Sequence, residues 1–258
     1  MSINTSDIAY WLAHFFWPLC RVGGIFMVAP MLSHGAIPAR VKAAMAVLFS
    51  ICIAPLVPIS DAASVFDFSG IAIALREMLV GLMIGFAMRI AFSAAEFAGN
   101  LIGIQSGFAF ASVYDHQMGA QVDPLSHFFQ LFALLVFVSL NGHLLLLAAL
   151  TKSFHSFPIA ADFAFLRGWG KELVPLLGIT MGYGLLLLLP LLATLMLTNL
   201  VLVILSRSAP QLNLFSVGFQ VTLLVALVLA LPSLGGYSTV MANVYEAAFN
   251  LIDAWTGA

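Results

Sequence analysis

LLGITMGYGLLLLLPLLATLMLTNLVLVIL, Leu176 to Leu205, holds no charged residue and runs through leucine after leucine. A helix crosses a bilayer with roughly 20 mostly apolar residues, and this stretch exceeds that length. A membrane barrel would be written in short segments of alternating polarity instead. The unbroken runs Leu144–Leu147 and Leu185–Leu189 therefore argue for helix. Working outward, five more apolar runs come into view: Tyr10–Ala29, Val41–Val57, Ile71–Ala95, Phe128–Leu150 and Leu214–Leu231. The expected fold is an all-α membrane protein of about six hydrophobic helices, with a C-terminal amphipathic helix from Gly235 onward.

Composition agrees. Of 258 residues, 62% are hydrophobic and 8% charged, where a soluble domain is about 25% charged. Mean hydropathy is +1.09. A soluble sphere of this composition would expose large apolar patches and aggregate. The formal net charge of −2 and the lack of a basic cluster argue against nucleic acid and against a polybasic lipid-binding run. Cys20 and Cys52 both lie in apolar runs and fit neither a metal cluster nor a disulfide framework. The first basic residue, Arg21, sits inside the first apolar run. The basic start of a signal peptide is therefore missing, and that run is expected to stay in the mature chain.

The polar stretches between runs are short, and none has the length of a soluble domain. Basic residues in short loops normally mark the cytoplasmic side. Arg40, Lys42 and Arg207 place the first and fifth loops there, but the same parity puts Lys152, Arg167 and Lys171 outside. The conflict points to a miscounted helix, or to helices that do not cross the bilayer simply. In the tail, Asn243, Glu246, Asn250 and Asp253 recur every three or four residues and make one polar stripe, with Val244, Ala248, Leu251, Ile252 and Trp255 elsewhere. That is an amphipathic helix. Its polar face is acidic, whereas helices lying on lipid are usually basic, so packing on a partner protein competes with lying on lipid.

Three features stand out within the apolar frame. Gly81 with Gly85, Gly178 with Gly182, and the triple Gly99, Gly103, Gly107 set small residues four apart, the spacing that lets membrane helices approach closely. Arg21, Arg76, Glu77, Arg89 and Glu96 put charge inside apolar runs. An arginine at mid-bilayer costs roughly 2.5–3.5 kcal/mol on insertion scales. Arg21, Glu77, Arg89 and Glu96 are thus candidates for lining a conduit or a subunit interface, with a structural ion pair as the plainer reading. Thirdly, Asn100–Asp123 reads NLIGIQSGFAFASVYDHQMGAQVD. Phe108 and Phe110 alternate with Ala109 and Ala111, a period that favours extended chain. Tyr114 and Met118 add bulk. An irregular segment in lipid would leave backbone groups unsatisfied, so it is expected inside protein or in a cavity, as a plug or as a re-entrant connector.

No catalytic constellation emerges. His14, His34, His116, His127, His143 and His155 are scattered, no zinc-protease spacing is present, and neither a GxSxG nor a phosphate-cradling GKT or GKS occurs. No cofactor or metal is expected, and the chain reads as a non-enzyme.

Four blocks carry a family resemblance: RVGGIFMVAPMLSHGAIPARVKAAMA (Arg21–Ala46), GNLIGIQSGFAFASVYDHQMGAQVDPL (Gly99–Leu125), NGHLLLLAALTKSFHSFP (Asn141–Pro158) and SRSAPQLNLFSVGF (Ser206–Phe219). With them the chain resembles, nearly end to end, the FliR family, the R subunit of the flagellar type III secretion export gate. Virulence injectisomes have a homologous subunit, which remains the alternative. The resemblance implies a bacterial inner-membrane subunit at the centre of the flagellar basal body. It would assemble with P-type and Q-type subunits, and with a B-type switch subunit, around a conduit for unfolded rod, hook and filament proteins. It also implies a P-like part, 1–172, followed by a Q-like hairpin, 173–258, turning at Ser206–Asn213 with Arg207, Pro210, Gln211 and Asn213. The family's plug maps onto Gly107–Val122, with Phe108 and Phe110 as apolar tips. A small-solute transporter is a third reading, suggested by Pro190 in a long helix and by glycine-broken segments, but no internal repeat between halves supports it.

Overall fold

The computed structural model describes residues 5–33, 35, 37–58, 68–107, 124–159, 162–163, 166, 169–208 and 214–256. These residues are helical almost throughout. α1 spans Thr5–Val28, the single turn α2 Pro30–Ser33, α3 Ala39–Ile53, α4 Phe68–Gln105, α5 Pro124–Ser139, α6 Gly142–Ser156, α7 Trp169–Ser208 and α8 Leu214–Trp255. Among the described residues, five helical stretches are long and apolar enough to cross a membrane, or six if α5 and α6 count as one.

The residues explain where the helices stop. α1 ends just before Pro30, since a residue preceding proline is pushed out of the helical region. α3 tightens into a 3₁₀ turn, Ala54–Leu56, with Pro55 near its start. Its sequence range ends where expected.

Three boundaries differ from the sequence expectation. The run Phe128–Leu150 is not one straight helix. It breaks at Asn141, which adopts a left-handed conformation (φ 56°, ψ 27°), and α5 and α6 bend by 66° across the break. Asparagine enters that region more readily than most residues, and Gly142 follows it, so an Asn-Gly pair outweighs an otherwise unbroken apolar pattern. The third run continues as helix to Gln105, beyond its expected end at Ala95 and into the stretch from Asn100 expected to be irregular. Packing overrides the glycine penalty, because a Cβ on Gly99 would run into the backbone of Ser126 on α5. Finally, the C-terminal stripe is not a separate helix. α8 runs through Pro232 into it without a break. Asn243, Glu246 and Asn250 are exposed, while Val244, Ala248, Leu251 and Ile252 are buried in this chain itself.

The chain divides into two compact units. Unit 1 comprises Met1–Ala91, Asn141–Leu177 and Tyr245–Ala258; unit 2 comprises Phe92–Leu140 and Gly178–Val244. In unit 1, α1 and α4 run side by side through glycines. A Cβ on Gly81 would overlap the Arg21 carbonyl, one on Gly24 would overlap the Met78 carbonyl, and one on Gly85 would lie 3.2 Å from Ile25 O and Ala29 N. Backbone cannot yield as a side-chain tip can, so these three positions set the helix separation. The end of α8 closes the unit through Trp255, whose ring lies 4.6 Å from Phe157 and 6.4 Å from Trp169. In unit 2, Tyr237 of α8 is fully buried. Its hydroxyl donates to the Phe129 carbonyl at 2.9 Å, and its ring lies 5.2 Å from Phe129 and 5.4 Å from Phe132.

The glycine pairs thus differ in kind. Gly178 and Gly182 have nothing within 4 Å of a built Cβ. Gly81→Ala is expected to lower the unfolding temperature of the detergent-solubilised protein. Gly178→Ala should leave it unchanged or raise it, because alanine improves a helix interior by about 1 kcal/mol. Thermal unfolding of the two variants side by side checks this, and equal losses would contradict the packing argument.

Candidate functional site

The close approach of α1 and α4 brings Arg21, Arg76 and Glu77 together. Arg21 Nε donates to Glu77 Oε2 at 2.7 Å, and its Nη2 lies 2.6 Å from the same oxygen. Nη1 donates to Ser153 Oγ at 3.0 Å, and Nη2 also to the Phe157 carbonyl at 2.9 Å. The guanidinium carbon sits 3.9 Å from the centre of the Phe154 ring, a cation–π contact. The second Glu77 oxygen accepts from Arg76 Nη1 at 2.6 Å, and Arg76 Nε donates to the Asp162 carbonyl at 2.6 Å. The Ser153 hydroxyl in turn donates a hydrogen bond to the Leu150 carbonyl. Arg21 and Glu77 are wholly buried, and Arg76 nearly so.

Such a knot is costly to assemble and more costly to break. Two desolvated charges repay their burial only when the remaining donors and acceptors are also satisfied. Here all three guanidinium nitrogens engage partners, Glu77, Ser153 and the Phe157 carbonyl, in a fork that lysine cannot reproduce. Arg21 and Glu77 therefore tie α1, α4 and α6 to one another inside this chain. Arg89 is exposed on α4 and Glu96 is half-buried further along the same helix; both have interactions of their own. Among the described residues, no group of three His, Cys, Asp or Glu stands close enough to hold a metal ion.

The second feature is the C-terminal end of α4, in unit 2. The last carbonyls of a helix have no partner within it, and here side chains from two other helices supply them. Asn199 Nδ2 of α7 donates to the Gln105 carbonyl at 3.2 Å. The Thr222 hydroxyl of α8 lies 2.9 Å from the Ser106 carbonyl and 3.0 Å from that of Gly218. Ser106, fully buried, turns its hydroxyl onto the Gly103 carbonyl. Gly107 then leaves the helix at φ 88°, a region open to glycine and strained for other residues. About two turns earlier, Asn100 Oδ1 accepts from Ser126 Oγ at 2.6 Å, beside the Gly99 contact. The two helices that flank residues 108–123 are thus fastened to each other near those ends.

Of the expected plug residues, only Gly107 is described. Phe108, Ala109, Phe110, Tyr114 and Met118 lie outside the described residues, as do Pro210, Gln211 and Asn213 of the hairpin turn. Arg207 is exposed in the last turn of α7, where a cation suits the helix dipole. Sequence reasoning missed Ser153, Asn199 and Thr222. The one available signal was a polar side chain standing in an apolar run, which ordinarily needs a hydrogen-bond partner.

The long apolar helices, the buried charge knot and the capped helix end belong to a known family of proteins. The model of the bacterial export proteins, family 1, matches residues 12–248. The flagellar biosynthetic protein FliR of Escherichia coli strain K12 is 36% identical over 98% of this chain and 96% of its own length. That of Pectobacterium carotovorum subsp. carotovorum is 33% identical over 98% and 96%, and that of Bacillus subtilis strain 168 is 29% identical over 88% of each. The chain belongs to the FliR family of bacterial export proteins, as a membrane-embedded subunit of the flagellar export apparatus.

Removing one partner of a buried pair strands the other, at a cost of about 3–5 kcal/mol. Arg21→Ala and Glu77→Gln are each expected to show a loss of that order in denaturant unfolding, and Arg21→Lys to recover only part of it. Losses under about 1 kcal/mol, the range of exposed pairs, would contradict the reading. The exposed Lys152–Asp253 pair, at 3.1 Å, serves as the comparison.

Proposed function

We propose that this chain is the non-enzymatic R-type subunit of a flagellar export gate in the bacterial inner membrane. With P-type and Q-type subunits, and touching a B-type switch subunit, it forms the conduit for unfolded rod, hook and filament proteins. Residues 1–172 serve as the P-like part and 173–258 as the Q-like hairpin. The stretch after Gly107 is the plug that closes the conduit between substrates.

One observation carries the reading. α7 exposes large apolar side chains from Val174 to Leu205, among them Leu186, Met196, Leu197 and Leu200. At 1.5 Å per residue those positions span about 47 Å. Even at a tilt of about 40°, a hydrocarbon layer about 30 Å thick covers roughly 39 Å of helix. Lipid alone leaves apolar surface uncovered, and the natural cover is sister subunits with apolar faces of their own. The fastened ends of α4 and α5 support the plug assignment. A segment that must yield to a passing chain and return needs fixed points to return to.

Deleting residues 108–118 is expected to make cells leak protons and small dyes while the subunit still accumulates in the membrane. Equal permeability in mutant and parent would rule out the plug. Arg207→Glu, at the exposed end of α7, is expected to lower secretion of hook protein several-fold with the subunit present at normal level. Undiminished secretion would count against the hairpin's role.

A further inference from the structure

α6 ends at Ser156, and two separate parts of unit 1 meet at its cap, Phe157. The last carbonyls of a helix need partners from outside it. Phe157 donates its N–H to the Ser153 carbonyl at 2.9 Å and then leaves the helix (φ −121°, ψ 78°). Its own carbonyl accepts from Arg21 Nη2, and the Ser153 hydroxyl accepts from Arg21 Nη1. The buried guanidinium thus sits at the negative end of the α6 dipole. Of its three hydrogen-bonding partners, Glu77, Ser153 and Phe157, two come from this final turn and its cap. Helix ends fray where nothing holds them.

The ring of Phe157 supplies the hold. It lies 4.6 Å from Trp255; Trp255 lies 6.4 Å from Trp169, and Trp169 lies 6.1 Å from Phe86 of α4. Lys152, one residue before Ser153, pairs with Asp253 at 3.1 Å. Tyr245, Ala248, Leu251 and Ile252 bury the other side of the same α8 turns. Phe157 therefore meets Arg21 with its backbone and the chain end with its ring. In the sequence, residues 178–244 of the other unit separate this chain end from the rest of unit 1. Unit 1 is complete only when the final residues of the chain arrive.

We propose that the last turns of α8, residues 245–255, are a latch for the buried charges. By docking Trp255 on Phe157 they hold the end of α6 where it can serve Arg21. Undocked, the final turn of α6 frays, the Ser153 and Phe157 acceptors withdraw, and Arg21 is left with Glu77. A buried arginine short of acceptors is strongly disfavoured, so unit 1 without its chain end rests in a looser state. The aromatic contact is the working part of the latch. Lys152 and Asp253 are both about half-exposed, and such pairs contribute little.

Amide hydrogen exchange of the full-length chain in its detergent-solubilised assembly, read by mass spectrometry, follows α6 separately from the helices of unit 2. Trp255→Ala is expected to speed exchange at residues 150–157 about tenfold, the upper worth of one aromatic pair, and to leave α5 unchanged. Phe157→Leu, which keeps both backbone hydrogen bonds and removes the ring contact, should do the same. Trp255→Phe should restore most of the protection, and Asp253→Asn should alter it by under about twofold. Arg21→Lys should speed exchange of α6 severalfold in the parent. On top of Trp255→Ala it should add under about twofold, because the acceptors have already withdrawn. Three results would overturn the latch. One is unchanged α6 exchange in Trp255→Ala or Phe157→Leu. Another is equal acceleration in α5, the mark of general loosening. The third is a full Arg21→Lys effect on top of Trp255→Ala, the mark of two independent contacts.

Discussion

The half of the chain that includes the N-terminus depends on one contact, the place where Gly81 of α4 meets the Arg21 carbonyl of α1. Only a residue without Cβ lets the two backbones come so near. That distance sets Arg21 and Glu77 face to face, and the fork of Arg21 then reaches α6 through Ser153 and Phe157. Steric permission comes first and electrostatics follows. A glycine weakens a membrane helix on its own, and a buried arginine opposes insertion. Together they give a unique fit that apolar side chains, interchangeable among themselves, would not specify.

In the other unit the constraint is different. A helix that ends inside an apolar body leaves carbonyls that water cannot reach, so the protein must supply donors. Asn199 and Thr222 do this for α4, and Ser126 fastens the start of α5 to Asn100. These polar side chains cost something in an apolar setting. In return the helix ends that flank residues 108–123 are held by hydrogen bonds.

The helical class and most of the spans were legible in the sequence, because apolar length and leucine runs are local properties. So was the exposed stripe of Asn243, Glu246 and Asn250, since helical periodicity is written directly in residue spacing. The break at Asn141 was not read, because a two-residue turn signal was outweighed by the eighteen apolar residues around it. The spacing of Gly99 and Gly103 was rightly read as that of a closely packed helix, with Ser126 against Gly99; what was misjudged is the start of irregular chain at Asn100, since α4 runs on to Gln105. Arg21 and Glu77 were singled out by their cost, yet Ser153 and Phe157 are more than 130 positions away from Arg21. Spacing along a chain carries no trace of such partners. Gly81 and Gly178 share one local pattern, and only the fold separates the packed pair from the open one.

What remains after the internal contacts are satisfied is a large apolar exterior, longer on α7 than the hydrocarbon layer of a bilayer and shorter on α8. In the proposed assembly, sister subunits cover it. The mass and composition of the particle released by mild detergent test this most directly, by native mass spectrometry or light scattering after affinity purification through this chain. A discrete particle containing one copy of this chain with several copies of at least two other apolar polypeptides is the expected result. A monomer, or a symmetric oligomer of this chain alone, would contradict it.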